Sequence, residues 1–304
     1  MRIAIPAVSS VTMRAILYMV LSALCFAVVE LTGQVLVQGI SPYQLVWGRY
    51  AVHLLFMVVV LGPRYKSKLV QTGALKLQIL RSMTMLAMPV CFILAASAMP
   101  ANDVWSVYWS SPLVMLALST WILGEPAGGK RWIAGLVGFA GMLFVFQPDK
   151  GVFSPASVLA FGMGVAISLH LMLSRILRHD HPLTSLFHTA LWVFVVLSFV
   201  VPFLWQTPSL RTLLGIIIVG LVGMVGLFVL ARSGELVPLP VVASFSYTEA
   251  IWRLALNALF LGIMPHKSEL LGVLIVAGVI GYLLFNETRQ PRVEAAIEHA
   301  AATN

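Results

Sequence analysis

Long apolar runs are the feature of this sequence that most restricts its fold. A helix needs about 20 apolar residues to cross the hydrocarbon core of a bilayer. Ten runs of that kind lie near residues 15–37, 43–61, 77–99, 103–124, 131–147, 155–177, 183–205, 211–232, 239–264 and 268–286. Because lipid offers no hydrogen-bond partner to backbone N–H and C=O groups, such runs form helices. With 60% hydrophobic and 10% charged residues, the chain is predicted to be an all-α integral membrane protein with ten transmembrane helices.

The first run follows a short basic segment, which is also typical of a secretory signal peptide. The apolar residues continue past any cleavage point to Val37, so we interpret the run as the first membrane span. Short turns rich in Pro, Gly and Ser, such as "QGISPY", "MPAND" and "QPDKG", separate the runs. These turns give the approximate ends of the spans.

The chain carries a net charge of +8, but its basic residues lie mainly in short loops between apolar runs. Phospholipid headgroups are therefore the predicted partner of these charges, and nucleic acid is not. Cys25 and Cys91 both fall inside apolar runs, where a cysteine acts as a small hydrophobic residue. We predict no cofactor and no metal site, and either a monomer or a homodimer.

Lysine and arginine are distributed unevenly between the two sets of loops. If the N-terminus is cytoplasmic, three basic residues lie outside, namely Lys150, Arg211 and Lys267. Fourteen then lie inside, namely Arg2, Arg14, Arg64, Lys66, Lys68, Lys76, Arg81, Lys130, Arg131, Arg175, Arg178, Arg232, Arg289 and Arg292. This positive-inside bias predicts cytoplasmic termini at both ends and a location in a bacterial-type inner (plasma) membrane.

The two halves of the chain resemble each other. The matching pairs are Pro42 with Pro182, Glu30 with His170, Pro100 with Pro238, Trp109 with Tyr247, Gly124 with Gly262, Gly135 with Gly272, and Gly141 with Gly278. Because each unit holds five spans, an odd number, the second unit is predicted to be inverted in the membrane, as in alternating-access transporters. The predicted organisation is a cytoplasmic tail at 1–14, a first repeat at 15–147, a second repeat at 154–287 and a cytoplasmic tail at 288–304.

The stretch "YWSSPLVMLALSTWILGEPAGGKRWIAGLVGFAGMLFVFQP" resembles the EamA repeat of the drug/metabolite transporter superfamily. It has a proline in the fourth span, Gly-Glu at the inner end of that span and a glycine-rich fifth span. The second half departs from the pattern, because Ile263 replaces the Glu after Gly262 and Ala250 stands where the first half has Pro112. The resemblance covers residues 15 to 287. It implies ten helices around a central cavity lined mainly by spans 1, 3, 4, 6, 8 and 9, in proteins that move amino acids, related metabolites, nucleotide-like cofactors and drugs.

Four ionisable residues are predicted to serve in coupling or gating. Glu30 in the first span and Arg49 in the second lie at the same depth, roughly 9–10 Å below the outer surface at the helical rise per residue. A Glu30–Arg49 ion pair is therefore predicted, and Glu30 is also a candidate for binding a substrate amine. His170 and His188 lie level with each other near the inner side of the second half. The alternatives are that Arg49 only joins two helices and that each histidine bonds a backbone carbonyl.

Two further charges, Glu249 and Arg253, lie four positions apart near the middle of the ninth run. On one helical face they neutralise each other, which lowers the cost of placing them in the membrane. In a cavity-lining helix of an inverted-repeat transporter, this depth is where a zwitterionic or polar substrate binds. The alternative is a structural pair that determines how the helix packs.

Aromatic residues occupy repeat-related positions near these charges. Trp109, Tyr108 and Tyr247 are predicted to offer aromatic surfaces to a flat or cationic ligand. Trp105 lies one turn from Trp109 and closer to the membrane interface, where aromatic residues act as anchors. We therefore predict that Trp109, and not Trp105, faces the cavity.

No enzyme motif is present: the sequence lacks "GxxxxGK[ST]" and "HExxH". Transport energy must then come from a gradient or from exchange, with protons as a candidate coupling ion. The sequence favours a secondary transporter that exports a small polar or amphipathic metabolite such as an amino acid or a derivative. The alternatives are an uptake permease for a cofactor-like metabolite, a membrane-embedded enzyme acting on a lipid-linked substrate, and a passive channel.

Overall fold

The computed structural model describes residues 10–287, and all regular structure in that range is helical. The predicted tails, with Arg2, Arg289 and Arg292, lie wholly or partly outside the described residues. The α-helices are α1 (Ser10–Leu36), α2 (Pro42–Phe56), α3 (Gly62–Tyr65), α4 (Leu75–Ala96), α5 (Ala101–Tyr108), α6 (Ser111–Ile122), α7 (Gly128–Phe146), α8 (Ser157–Ile176), α9 (Pro182–Ser198), α10 (Leu210–Leu236), α11 (Leu239–Val242), α12 (Thr248–Leu256) and α13 (Lys267–Glu287).

Seven helical stretches between residues 10 and 287 are long and apolar enough to cross a membrane. They are Val11–Leu36, Pro42–Leu69, Leu75–Ala96, Gly128–Phe146, Ser157–Ile176, Leu210–Leu236 and Lys267–Glu287. The chain is therefore an all-helical, multi-pass membrane protein. Of the other three predicted spans, the seventh contains the shorter apolar helix α9, and the fourth and ninth are interrupted helices.

The fourth and ninth predicted spans are interrupted for local reasons. In the fourth span, α5 ends at Tyr108 and α6 begins at Ser111 with Pro112 in its first turn. Proline has no N–H group to donate to the preceding turn, so a continuous helix is disfavoured there. In the ninth span, α11 leads into a 3₁₀-helix at Ala243–Tyr247, and a π-helix at Asn257–Leu261 follows α12. These tighter and wider turns redirect side chains that a continuous helix would present elsewhere.

The two interrupted stretches begin and end in the same way. Pro100 precedes the first with φ −55° and ψ 141°, and Pro238 precedes the second with φ −54° and ψ 140°. Gly124 and Gly262 end them, and both have φ +67°. Glycine adopts positive φ without the clash that a Cβ causes, so it is suited to these ends.

Helix packing follows a matched pattern in the two halves. Helix α1 packs against α10, and α8 packs against α4. In the same way α2 packs against α10 and α9 against α4, while α7 packs against α13. Gly141 and Gly272 allow the α7–α13 contact, because a Cβ at Gly272 would lie 2.5 Å from the Gly141 carbonyl oxygen. The largest apolar core involves α1, α5, α6, α8 and α11, and many large apolar side chains, such as Trp121 and Leu259, are exposed as expected at a lipid-facing surface.

Candidate functional site

A cavity of about 620 Å³ lies between the helices. Helices α1, α2, α4, α5, α6, α8, α10 and α12 supply its walls, and neither α7 nor α13 contributes a lining residue. Val37, Pro42 and Asn102 line one end, next to the loops that follow α1 and α4, and all three are exposed. Leu171 and Leu230 line the deep end. The cavity therefore opens at the face that the sequence predicts to be outside, and α2 lines it in addition to the expected spans.

Glu30 and Arg253 form an ion pair in the cavity wall. Arg253 Nη1 donates to Glu30 Oε1 at 2.5 Å, and Gln34 Nε2 donates to the same oxygen at 3.2 Å. The Arg253 guanidinium carbon also lies 4.6 Å from the centroid of the Phe146 ring. The predicted Glu30–Arg49 pair is wrong, because α12 presents Arg253 to α1 and Glu30 is already occupied.

Glu249 also lines the cavity, but its carboxylate has no partner. Among residues 10–287 it makes no hydrogen bond and no ion pair within 4.0 Å. The predicted Glu249–Arg253 pair is therefore not formed, because Arg253 reaches across to α1 instead of back along its own helix. A carboxylate is left facing the cavity.

Arg49 contributes a positive charge to the opposite part of the wall. Its guanidinium carbon lies 5.9 Å from the centroid of the Phe26 ring and 5.4 Å from that of the Tyr50 ring. It also lies over Gly223 of α10, where a Cβ would come within 2.6 Å of Arg49 Nε. The Nη2 atom is buried and has no hydrogen-bond partner in the described part of the chain. The cavity thus contains one unpaired cation and one unpaired carboxylate.

Aromatic side chains from α4, α5 and the α5–α6 junction cover another part of the wall. Trp105 lies 5.0 Å from Phe92 and 5.3 Å from Tyr108 between ring centroids, and Tyr108 lies 5.2 Å from Trp109. All four residues line the cavity. The prediction that Trp105 faces away from the cavity is therefore wrong: its ring packs against Phe92 and Tyr108 in the cavity wall.

Tyr247 does not line the cavity, contrary to the predicted role in substrate binding. The side chain is fully buried, and its hydroxyl donates to the Gly135 carbonyl oxygen at 3.0 Å. The ring lies over Gly138 of α7, where a Cβ would come within 2.5 Å of it. The 3₁₀-helix before α12 thus turns Tyr247 into the helix packing.

His170 and His188 are buried and lie outside the cavity lining. His170 Nδ1 lies 3.2 Å from the Arg81 carbonyl oxygen, and His188 Nε2 lies 3.0 Å from the Val70 carbonyl oxygen. Both histidines therefore make the backbone contacts that were the alternative to a gating role.

Arg81 is a functional candidate that sequence reasoning placed among the cytoplasmic loop charges. It lies within α4 with 1% of its side chain exposed. Nε donates to Ser174 Oγ at 2.7 Å, and Nη1 donates to the Ser185 carbonyl oxygen at 2.9 Å and to Thr189 Oγ1 at 2.7 Å. The helix begins at Leu75, so Arg81 lies roughly 9 Å inside it, and this depth was the signal that could have identified it.

A polar network closes the face opposite the cavity mouth. Arg175 Nε lies 2.8 Å from Glu125 Oε1, and Arg175 Nη1 donates to the carbonyl oxygens of Gly234 at 3.0 Å and Glu235 at 2.9 Å. The other Glu125 oxygen accepts the Leu239 N–H at 2.9 Å. One ion pair thus joins the segment after α6, helix α8 and the junction of α10 with α11.

Known proteins resemble this chain in sequence. Residues 13–147 match the family described as "EamA-like transporter family". The "S-adenosylmethionine uptake transporter" of Rickettsia bellii (strain RML369-C) is 23% identical over 77% of this chain and 82% of the relative. The protein of the same name from Rickettsia conorii (strain ATCC VR-613 / Malish 7) is 26% identical over 62% of this chain and 65% of the relative. The "Riboflavin transporter" of Vibrio cholerae serotype O1 (strain ATCC 39315 / El Tor Inaba N16961) is 26% identical over 62% of this chain and 64% of the relative. The matches therefore span slightly less than two thirds of the last two relatives.

The fold also has a counterpart among solved structures. One crystal structure superposes with a TM-score of 0.76 at 15% sequence identity, over 92% of this chain and 99% of the other. At that identity the likeness concerns the fold alone. Because the family match spans slightly less than half of the chain and the relatives named above are all transporters, the sequence comparisons point to a transporter that resembles the EamA-like family, and not to an enzyme.

Proposed function

We propose that this protein is a secondary transporter that takes up a zwitterionic, amphipathic metabolite of cofactor-like size by alternating access. The observation that carries the proposal is a cavity, open at one face, that holds one unpaired carboxylate and one unpaired guanidinium on different walls. Pockets for small ligands have volumes of about 300–1,000 Å³. The cavity of about 620 Å³ is within that range.

The two unpaired charges suggest the chemistry of the ligand. Glu249 is suited to an amine or another cationic group, and Arg49 is suited to a carboxylate. A charge held away from water inside the membrane is costly unless it is paired. A zwitterion would pair both residues at once, whereas the Glu30–Arg253 pair is already neutralised.

The aromatic wall suggests that the ligand also has a flat or apolar part. Phe92, Trp105 and Tyr108 form a continuous set of ring contacts, and rings of this kind stack on planar groups and attract cations. The relatives named for S-adenosylmethionine and riboflavin are consistent with a substrate that contains a heteroaromatic ring. The name of the S-adenosylmethionine relative specifies uptake, whereas that of the riboflavin relative specifies no direction. These names favour the uptake alternative over the export that the sequence alone favoured.

Alternating access is supported by the likeness of the two halves. Matched proline and glycine ends of the interrupted stretches, together with matched helix packing, support two inverted five-helix repeats at 15–147 and 154–287. In the present form the mouth is open and the Glu125–Arg175 network closes the other face. We place both termini in the cytoplasm of a bacterial-type cell, so that this form is open to the outside. Glu30, with Arg253 as its ion-pair partner, remains our candidate for coupling to protons.

Reconstitution into liposomes tests the proposal. We expect the purified protein to accumulate labelled S-adenosylmethionine, which carries an amine, a carboxylate and a heteroaromatic ring, in preference to riboflavin, which carries no charge. A pH gradient should change the rate if protons are coupled. Glu249→Gln should raise the half-saturating concentration by about tenfold or more, because one lost charge-assisted contact corresponds to roughly 1.5–3 kcal/mol.

The matched control is Glu269→Gln, which changes a carboxylate outside the cavity that caps the N–H of His266. This variant should transport normally. If folded protein accumulates no substrate among these compounds and the amino acids, the proposed transport of a zwitterionic metabolite is contradicted.

A further inference from the structure

Arg81 is a buried guanidinium that no carboxylate of residues 10–287 neutralises within 4.0 Å. Its three hydrogen bonds go to neutral oxygens of Ser174, Ser185 and Thr189. Glu235 acts on it only at longer range and is paired with Arg232 at 2.6 Å. A fully buried charge of this kind in a membrane protein is costly, and such residues usually face a ligand path.

The surroundings of Arg81 correspond to the cavity wall of the other half. Pro42 and Pro182, which begin α2 and α9, are 140 positions apart. The same offset relates three cavity residues to three neighbours of Arg81: Glu30 to His170, Gln34 to Ser174, and Arg49 to Thr189. The groups that contact Arg81 are therefore the repeat equivalents of groups that line the open cavity.

Helix packing places the two unpaired guanidinium groups at equivalent contacts. Arg49 of α2 lies against Gly223 of α10, and Arg81 of α4 lies against Thr189 of α9. At each place where the second helix of one half meets the third helix of the other half, one guanidinium is present. Arg49 comes from the second helix of its half (α2), whereas Arg81 comes from the third helix (α4). Tyr50 lines the cavity with a buried, unpartnered hydroxyl and interacts electrostatically with both guanidinium groups.

We propose that Arg81 is the anion-binding residue of the cavity when it is open to the opposite face, where it holds the carboxylate that Arg49 holds in the present form. In that form Arg81 exchanges hydrogen bonds to neutral oxygens for a bidentate contact with the substrate carboxylate. Tyr50 interacts with both cations, and its hydroxyl donates a hydrogen bond to the substrate carboxylate as the substrate moves from Arg49 to Arg81. The inference rests on the proposed transport by alternating access.

Charged thiol reagents test the inference without knowledge of the substrate. In a background with Cys25 and Cys91 replaced by alanine, Ser174→Cys reports on the Arg81 cluster, and Gln34→Cys, its repeat equivalent, reports on the present cavity. Sealed vesicles of each orientation are treated with a sulfonate-bearing methanethiosulfonate and with its trimethylammonium analogue. We expect Gln34→Cys to react from the face of the cavity mouth and Ser174→Cys to react from the opposite face.

The charge preference at Ser174→Cys is the decisive measurement. A buried cation that enters a water-filled cleft concentrates anions there by about tenfold or more. The sulfonate reagent should therefore react faster than the cationic reagent, and Arg81→Gln should abolish this preference while Arg81→Lys retains it. If Arg81→Gln does not fold, the preference in the Arg81 and Arg81→Lys proteins decides the matter.

Two failures are distinguishable. If Gln34→Cys reacts from the mouth but Ser174→Cys reacts from neither face, alternating access itself is contradicted. If Ser174→Cys reacts from the opposite face with equal rates for both reagents, transport by alternating access stands and the role of Arg81 is rejected.

Discussion

Arg253 joins α12 to α1 through its contact with Glu30, and this contact determines which carboxylate of the cavity is left for a ligand. Glu30→Gln leaves Arg253 without its partner, and Arg253→Gln leaves two carboxylates, Glu30 and Glu249, without a cation. Each single change should lower the free energy of unfolding by about 1–3 kcal/mol, because the pair is mostly buried. The double change of Glu30 to Gln and Arg253 to Met should cost less than the sum, because neither position then leaves a charge that has lost its partner.

The midpoint of thermal unfolding in detergent, measured for both single variants and the double variant, checks this expectation. Strictly additive losses would mean that the two side chains do not stabilise each other. If the Glu30→Gln variant transports at the normal rate with unchanged pH dependence, Glu30 has a structural role and no role in coupling.

The sequence predicted which charged residues line the cavity better than it predicted which of them pair. The sequence places Glu30, Arg49, Glu249 and Arg253 inside apolar runs, and all four line the cavity. Spacing predicts only pairs within one helix or one hairpin, whereas Glu30 and Arg253 are 223 positions apart. Arg253 reaches α1 because α12 follows a 3₁₀-helix, and no helical periodicity contains that information.

Among the elements, the segment after α6, helix α8 and the junction of α10 with α11 carry the contact that closes the face opposite the cavity mouth. The repeat equivalent of Glu125 at an offset of 138 is Ile263, and that of Arg175 at an offset of 140 is Val35. Both are exposed apolar residues, so the open face has no corresponding ion pair. This difference stabilises the closed state of one face only, which agrees with a cavity that opens at the other.

Loss of the Glu125–Arg175 pair should therefore shift the protein toward the form open to the inner face. With about 1 kcal/mol removed from the closed state, the population of the other form rises by roughly fivefold. A cysteine in place of Ser233, which is fully buried and donates to the Ala15 carbonyl oxygen, should then react faster from the inner face in Glu125→Gln.

The control for this prediction is Arg131→Gln, which breaks the Arg131–Glu287 pair between α7 and α13 outside the cavity. It should leave the reactivity at Ser233→Cys unchanged. Equal acceleration in the two variants would indicate general loosening of this face, and no acceleration in Glu125→Gln would reject the pair as a closing contact.

At the scale of the whole molecule, hydropathy predicted more than any single motif, because it identified a multi-pass helical membrane protein. Hydropathy identified the long helices because their backbone groups are satisfied within each segment, whatever the neighbouring helices do. It did not identify the break after Tyr108 or the burial of Arg81, because both depend on which helix lies alongside. The sequence correctly predicted that Glu30, Trp109 and Glu249 line the cavity. It assigned Trp105 and Tyr247 wrongly, and both lie in the interrupted fourth and ninth spans.

The orientation of the protein in the membrane determines whether the cavity mouth faces the cytoplasm or the outside. The mouth lies at the loops that follow α1 and α4, on the side that holds few basic residues, so we expect it to face away from the cytoplasm. Lys150→Cys and Ser67→Cys each place a thiol at an exposed position on opposite predicted faces. Each variant is expressed in intact cells in a background without Cys25 and Cys91. An impermeant maleimide should label Lys150→Cys at once and Ser67→Cys only after the membrane is permeabilised. The reverse pattern would place the open mouth at the cytoplasm, so that the present form would be the one that loads substrate for export.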